Sequence, residues 1–153
     1  MKQTGMFVPK YNLENIAVGY RDGKRWGTVY EKLFRYDYSN RKFLDVYGFI
    51  VCGRGGGGIL STVGDMYKWH KQFDGGRVFT KAAKDKIFTP HVREAEEAGS
   101  SFYGYGWTIF STKRNTKLIA HNGNVNDVFE ADFLRYVDED VVFIIMTNSL
   151  YLE

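Results

Sequence analysis

The last third of the chain has the two-residue periodicity of β-strands, and this pattern restricts the fold more than any other feature. It predicts four strands, at residues 106–111, 116–121, 129–136 and 141–147. A basic connection at 113–115 and an acidic one at 138–140 are each only a few residues long. Connections this short predict antiparallel pairing for at least the first and last pairs of strands.

Two helices are predicted before these strands. The first is capped by Thr62, carries Asp65 near its positive N-terminus and ends at 74–76, with an apolar stripe at Val63, Met66, Tyr67, His70 and Phe73. The second covers 81–88, after a Thr80 cap and before Pro90. Residues 91–100 are polar and are interpreted as a loop or frayed helix. The fold class is therefore α+β: an antiparallel β-meander with helices packed on it, in one domain over 1–153.

The last predicted strand, 141–147, is apolar at successive positions, so we expect both of its faces to be covered, by helices. Its six-residue apolar run, 141–146, is the longest in the chain, whereas a membrane span needs about 20 residues. The sequence therefore predicts no membrane span.

The charge distribution and the few cysteine and histidine residues argue against several classes of function. Residues 1–92 hold 16 Lys and Arg against 8 Asp and Glu, but the charges are dispersed and the net charge is only +3, so a solvated face is favoured over a nucleic-acid surface. Cys52 is the only cysteine, which leaves no disulfide and no CxxC pair. His70, His91 and His121 lack ligand spacing with a partner. We expect no metal and no cofactor.

The glycine run at 53–58 matches G-x-G-x-x-G through Gly53, Gly55 and Gly58, the pattern that admits a pyrophosphate to a helix N-terminus. That fingerprint needs a βαβ unit, whereas a second helix and an antiparallel meander follow here. Nucleotide binding is thus an alternative that a thermal shift with NAD or ATP would test.

Three short patterns are typical of acyl-transfer enzymes. Ser39 begins an S-x-x-K match and Tyr38 a Y-x-N match, but the two overlap in a polar stretch without helical periodicity, so an exposed basic turn is the preferred interpretation. The third pattern is His121-Asn122-Gly123, at the end of a predicted strand. Taken alone, it favours a strand that ends at His121 and a type I′ turn at the next two residues, whereas its context favours the acyl-transfer motif.

In order and spacing, these segments resemble the serine β-lactamase and penicillin-binding protein family, in its class C-like branch with D-alanyl-D-alanine carboxypeptidases and esterases. The segments that carry the resemblance are MKQTGM at 1–6, NIAVGY at 15–20, GGILST at 57–62, FYGYGW at 102–107, the HNG triplet and Asn148. The resemblance implies that His121 holds a substrate carboxylate or relays protons, and that Gly123 lets the substrate lie beside the strand. The backbone N–H of Asn124 would be an oxyanion donor, often worth about 3 kcal/mol.

In that family the nucleophile precedes these segments, so the resemblance identifies the chain as a C-terminal portion that lacks it. We expect a parent serine hydrolase that acts on β-lactams, D-alanyl peptides or small esters through an acyl-enzyme, and a fragment that is inactive alone. The alternative is a non-catalytic module that binds a peptide or partner, with self-association through an exposed sheet edge. The family is usually periplasmic or extracellular, but the sequence itself gives no localisation.

Overall fold

The computed structural model describes residues 1–6, 17–21, 24–25, 56–75, 78–94, 101–125 and 128–149. These residues form two helices and ten strands. The helices are α1 (Val63–Gly75) and α2 (Lys81–Ile87), and the strands are β1 (Gly5–Met6), β2 (Tyr20–Arg21), β3 (Lys24–Arg25), β4 (Ile59–Leu60), β5 (Val92–Arg93), β6 (Phe102–Tyr103), β7 (Thr108–Ser111), β8 (Lys117–Val125), β9 (Phe129–Tyr136) and β10 (Val141–Thr147). Neither helix is long and apolar enough to cross a membrane.

The chain divides into two compact units. One contains Met1–Asp65, Asn124–Glu130 and Thr147–Glu153, and the other contains Met66–Gly123 and Ala131–Met146. The second unit holds most of a six-stranded sheet in the order β10-β9-β8-β7-β6-β5. Every strand in this order lies beside its neighbour in the chain, as the predicted meander requires.

The core of the second unit lies between the helices and one face of the sheet. Phe73 of α1, Phe88 at the end of α2 and Ile119 of β8 are its buried centre. The Phe73 ring is stacked with Phe79 at a centroid distance of 5.2 Å and meets the Phe88 ring edge-on at 5.3 Å. Ring pairs with these geometries contribute beyond the area that they bury.

Both helices begin where the sequence predicts. The side chain of Thr62 accepts a hydrogen bond from the backbone N–H of Asp65 at 3.2 Å. The side chain of Thr80 accepts one from the N–H of Ala83 at 3.1 Å, and Phe88 forms the C-cap of α2. Each cap satisfies a backbone donor that has no partner within its helix.

In the first unit, Asp65 joins α1 to the start of the chain. Its side chain is 1% exposed and accepts hydrogen bonds from the Gln3 backbone N–H at 2.7 Å and the Thr4 hydroxyl at 3.1 Å. Close by, β1 pairs antiparallel with β4, Gly5 opposite Leu60. At the other end of the chain, the Asn148 side chain donates to the Val18 carbonyl oxygen at 2.7 Å.

Three expectations about exposure and secondary structure were wrong. Val63 and Tyr67 belong to the predicted apolar stripe of α1, but they are 48% and 49% exposed. On β10, Val141, Phe143 and Ile145 are also exposed, so the described residues cover one face of that strand less than expected. In the polar segment 91–100, Val92 and Arg93 form the short strand β5 instead of a loop or helix. The predicted apolar stripe was wrong because the charged residue Asp65 is among the buried residues of α1.

Candidate functional site

The HNG triplet lies within β8 and not at its end. The strand continues through Asn122 and Gly123 to Val125, so the predicted strand end at His121 was four residues too early. A type I′ turn at Asn122-Gly123 is therefore not formed. The triplet is instead extended backbone, which is the conformation that a substrate can lie alongside.

The pairing of β7 with β8 stops just before the triplet. The register runs from Ser111↔Lys117 to Thr108↔Ala120, and β7 begins at Thr108. Residues 121–125 of β8 therefore extend beyond the paired part of β7. Within the described ranges, no other strand pairs with this length of β8 on the β7 side. This is the part of the sheet where an extended ligand would add as a further strand.

The imidazole of His121 is exposed to solvent and lies beside an aromatic wall. The Trp107 ring meets it at a centroid distance of 6.3 Å and an interplanar angle of 84°. Trp107 is itself held by Phe73 at 5.6 Å and Phe133 at 5.4 Å, both of which are buried. The core thus restricts one side of the imidazole, and its other side stays accessible.

Gly123 is not required by the fold. A Cβ atom added there would meet no atom within 4 Å, and its backbone does not have the positive φ that favours glycine. Gly104, in the turn between β6 and β7, is the opposite case, because an added Cβ would lie 2.5 Å from the backbone oxygen of Ile87. The empty space over Gly123 fits the role that the resemblance implies, which is close approach of a ligand.

Asn124 follows on the same strand with an exposed side chain. Since side chains on a strand alternate between faces, Asn122 and Asn124 point away from the face that carries His121. The structure therefore brings His121, Gly123 and Asn124 together along 121–124, and all three are accessible. The donor role of the Asn124 amide stays a prediction.

A shallow cavity of about 300 Å³ lies beneath Asn122, on the face of the sheet opposite the helices. One end is polar, with Thr108, Asn122 and Asp132, and the other is apolar, with Phe110, Leu118 and Leu134. No motif in the sequence singles out Asp132. The alternation along 129–136 is the signal that could have placed it on the Asn122 face.

The N-terminal end of β8 is fixed by hydrogen bonds between the turn that precedes it and the turn between β9 and β10. Glu139, in the turn between β9 and β10, accepts from the Arg114 guanidinium at 2.6 Å and the Thr116 hydroxyl at 2.9 Å. Asp138 accepts from the backbone N–H of Lys117 at 2.6 Å. Asn115 and Asp140 have the left-handed conformation that such turns require, with φ of 58° and 52°. Because a slip by one residue would break these contacts, they fix the register that places His121 on its face.

A second cavity, of about 410 Å³, lies between α2 and the sheet, and Lys84, Lys117 and Arg135 line it. The Lys84 ammonium donates to the backbone oxygen of Phe73 at 2.5 Å, and that of Lys117 donates to the backbone oxygen of Phe88 at 2.7 Å. These carbonyls lie at the C-terminal ends of the two helices, where cations are stabilising. The two lysines are therefore explained by helix capping.

The remaining sequence candidates are the S-x-x-K and Y-x-N matches, Cys52 and the glycine run. Tyr38, Ser39, Cys52, Gly53 and Gly55 lie outside the described residues. The glycine run is followed by β4, which pairs antiparallel with β1, and so the described strands contain no parallel βαβ unit at this point. No group of three or more His, Cys, Asp or Glu side chains in the described ranges is placed to hold a metal ion.

Comparisons with known proteins agree with the fold and with the broad family. The family model described as Beta-lactamase matches residues 1–153. Among solved structures, the chain is similar to the octameric penicillin-binding protein homologue from Pyrococcus abyssi, with a TM-score of 0.55 and 26% sequence identity. The match covers 61% of this chain and 21% of the homologue, so it spans about a fifth of that protein's length. No curated protein matches the sequence.

Proposed function

Because the chain belongs to the β-lactamase family, we propose that it supplies the strand side of a serine-hydrolase active site. The observation that carries the proposal is the accessible triplet on β8, which extends past β7 with open space over Gly123. His121 binds the substrate carboxylate or relays a proton, and the backbone N–H of Asn124 stabilises the oxyanion. The substrate lies antiparallel or parallel to residues 121–125.

This geometry and the family membership support one substrate class. An extended backbone edge with a cationic or hydrogen-bonding side chain suits a short acyl compound that ends in a carboxylate, such as a D-alanyl peptide or a β-lactam. A small ester is the third candidate. We place the parent enzyme in the class C-like branch, with D-alanyl-D-alanine carboxypeptidases and esterases.

The chain by itself binds but does not turn over. Its single S-x-x-K match, at Ser39, overlaps the Y-x-N match in a polar stretch, and oxyanion donors without a nucleophile cannot form an acyl-enzyme. Intact-mass spectrometry after incubation with a penicillin and a fluorophosphonate tests this, and the expected result is an unmodified chain. A stoichiometric adduct would instead identify a working serine, with Ser39 the first to be mapped.

Substrate binding is measured separately, by titrating the ¹⁵N-labelled chain with benzylpenicillin and with a D-alanyl-D-alanine tripeptide. We expect shifts confined to the amides of 121–125 and their loss in the Gly123→Val variant. Gly57→Val is the matched control, because a Cβ at Gly57 also meets no atom within 4 Å. Shifts that survive Gly123→Val would reject this strand as the site.

The alternative function, a non-catalytic module that binds a peptide or partner, uses the same residues of β8 beyond its pairing with β7. Peptide binding to 121–125 that persists when a nucleophile-bearing N-terminal lobe is supplied, without acylation of either part, would favour it.

A further inference from the structure

The cavity between α2 and the sheet lies on the helix side of the sheet, yet cations line it. Because side chains alternate along a strand, Lys117 of β8 is on the same face as the buried Ile119, and Arg135 of β9 is on the same face as the buried Phe133. The Val137 N–H donates to the Lys117 carbonyl oxygen at 2.9 Å, which pairs these two positions. Lys117 and Arg135 are therefore diagonal neighbours on one face, about 7–8 Å apart.

The helix α2 adds a third cation, Lys84, to the same cavity. Helix capping uses one N–H of the Lys84 ammonium and one of the Lys117 ammonium, and each ammonium has three. Helix capping does not account for Arg135, whose guanidinium carbon lies 5.7 Å from the centroid of the Phe73 ring. All three cations are partly buried, so water and salt screen their mutual repulsion less than they would at the surface.

Carboxylates do not balance these charges within the cavity. Of the described residues that line it, Asp85 alone carries a carboxylate, and Asp85 is exposed. Asp138 and Glu139 form hydrogen bonds to the start of β8 and to the turn before it, and neither lines the cavity. Partly buried charges of one sign are unfavourable without a partner, and a bound anion would offset that cost.

The rest of the cavity is largely apolar, with Phe88, Ile119 and Val137 in its lining. Its volume of about 410 Å³ falls within the roughly 300–1,000 Å³ of sites that hold small organic molecules. We propose that the cavity binds a small phosphate monoester, with the phosphate among the three cations and the organic group against the apolar side chains. A phosphate has three acceptor oxygens and a charge of about −1.5 to −2, so it can pair with several cations at once.

This site is separate from the HNG triplet. Lys117 and His121 are four residues apart, which is about 13 Å along β8 at ~3.3 Å per residue. Binding of a phosphate monoester does not require the role proposed for residues 121–124, and the two proposals can fail independently.

Titration of the ¹⁵N-labelled 153-residue chain with phenyl phosphate tests the proposal. We expect saturable shifts at the amides of Lys84, Phe88, Lys117 and Arg135. Inorganic phosphate, which lacks the organic group, and benzoate, which carries a single charge, should bind more weakly. An unchanged spectrum, shifts that centre on 121–123 instead, or inorganic phosphate or benzoate binding as tightly as phenyl phosphate would each overturn the proposal.

Two substitutions test the cations. Lys117→Gln and Arg135→Gln should each weaken phenyl phosphate binding about tenfold through the loss of one charge-assisted hydrogen bond. Lys113→Gln is the matched control, because it removes the same charge at an exposed position outside the cavity and should bind like the parent. Circular dichroism checks that each variant is folded, and the titration of the parent chain locates the site without any substitution. Equal weakening by Lys113→Gln, or no weakening by either cavity variant, would reject the cavity as the site.

Discussion

The substitution Gly104→Ala should destabilise the protein, because the structure leaves no room for the added methyl group. The new Cβ would lie 2.5 Å from the backbone oxygen of Ile87 and 3.1 Å from that of Thr89, inside the 3.4–4 Å of ordinary van der Waals contact. The backbone cannot easily move away, because the Gly104 N–H donates to the Trp107 oxygen at 2.7 Å and the Tyr105 N–H donates to the Ile87 oxygen at 3.2 Å. Overpacking of this kind costs about 1–3 kcal/mol.

The same substitution at Gly123 is the matched comparison. Its Cβ would meet nothing within 4 Å, and an alanine restricts the unfolded chain more than a glycine does. We therefore expect Gly123→Ala to leave the free energy of unfolding unchanged or to raise it by about 0.4–1 kcal/mol.

Urea unfolding followed by tryptophan fluorescence measures both variants against the parent chain. For a domain of this size, a loss of 1–3 kcal/mol lowers the Tm by about 2–12 °C, so a thermal scan provides a second readout. If Gly123→Ala were destabilised as much as Gly104→Ala, the glycine at 123 would be required by the fold. The open space over Gly123 would then not be explained by the approach of a ligand.

Three further substitutions test the packing and the caps, with urea unfolding as the measurement. Phe73→Ala removes the centre of the core and should cost about 3–5 kcal/mol; a loss below 1 kcal/mol would contradict the packing described. Thr80→Ala should cost about 1 kcal/mol through the lost cap of α2, whereas Thr80→Ser, which keeps the hydroxyl, should cost much less. Asp65→Ala deprives the Gln3 N–H and the Thr4 hydroxyl of their acceptor and should cost about 1–3 kcal/mol, and an unchanged midpoint would show that this buried network adds nothing.

The sequence predicts best those elements whose signals are local. The Thr80 cap and Pro90 place both ends of α2 within one residue, and the short turn at 138–140 places the hairpin of β9 and β10. These features depend on residues a few positions apart, such as the Thr80 hydroxyl and the Ala83 N–H.

Features that depend on distant partners could not be predicted. Asp65 has the pattern of an exposed residue near a helix N-terminus, and only the arrival of Gln3 and Thr4 explains its burial. Asn122-Gly123 has the composition of a turn, but it lies within β8, which continues past its pairing with β7. The candidate site residues were thus predicted from the sequence and stay a prediction, while the accessible length of strand that presents them was not predicted.

The order of strands in the sheet has a consequence for folding kinetics. From β7 to β10, each strand pairs with its neighbour in sequence, within the forty residues 108–147. The chain therefore closes only short loops, and little entropy is lost before the pairing contacts form. By contrast, β1 must find β4 across 55 positions. The strand that carries His121 should acquire its register early in folding, before the contacts between β1 and β4 form.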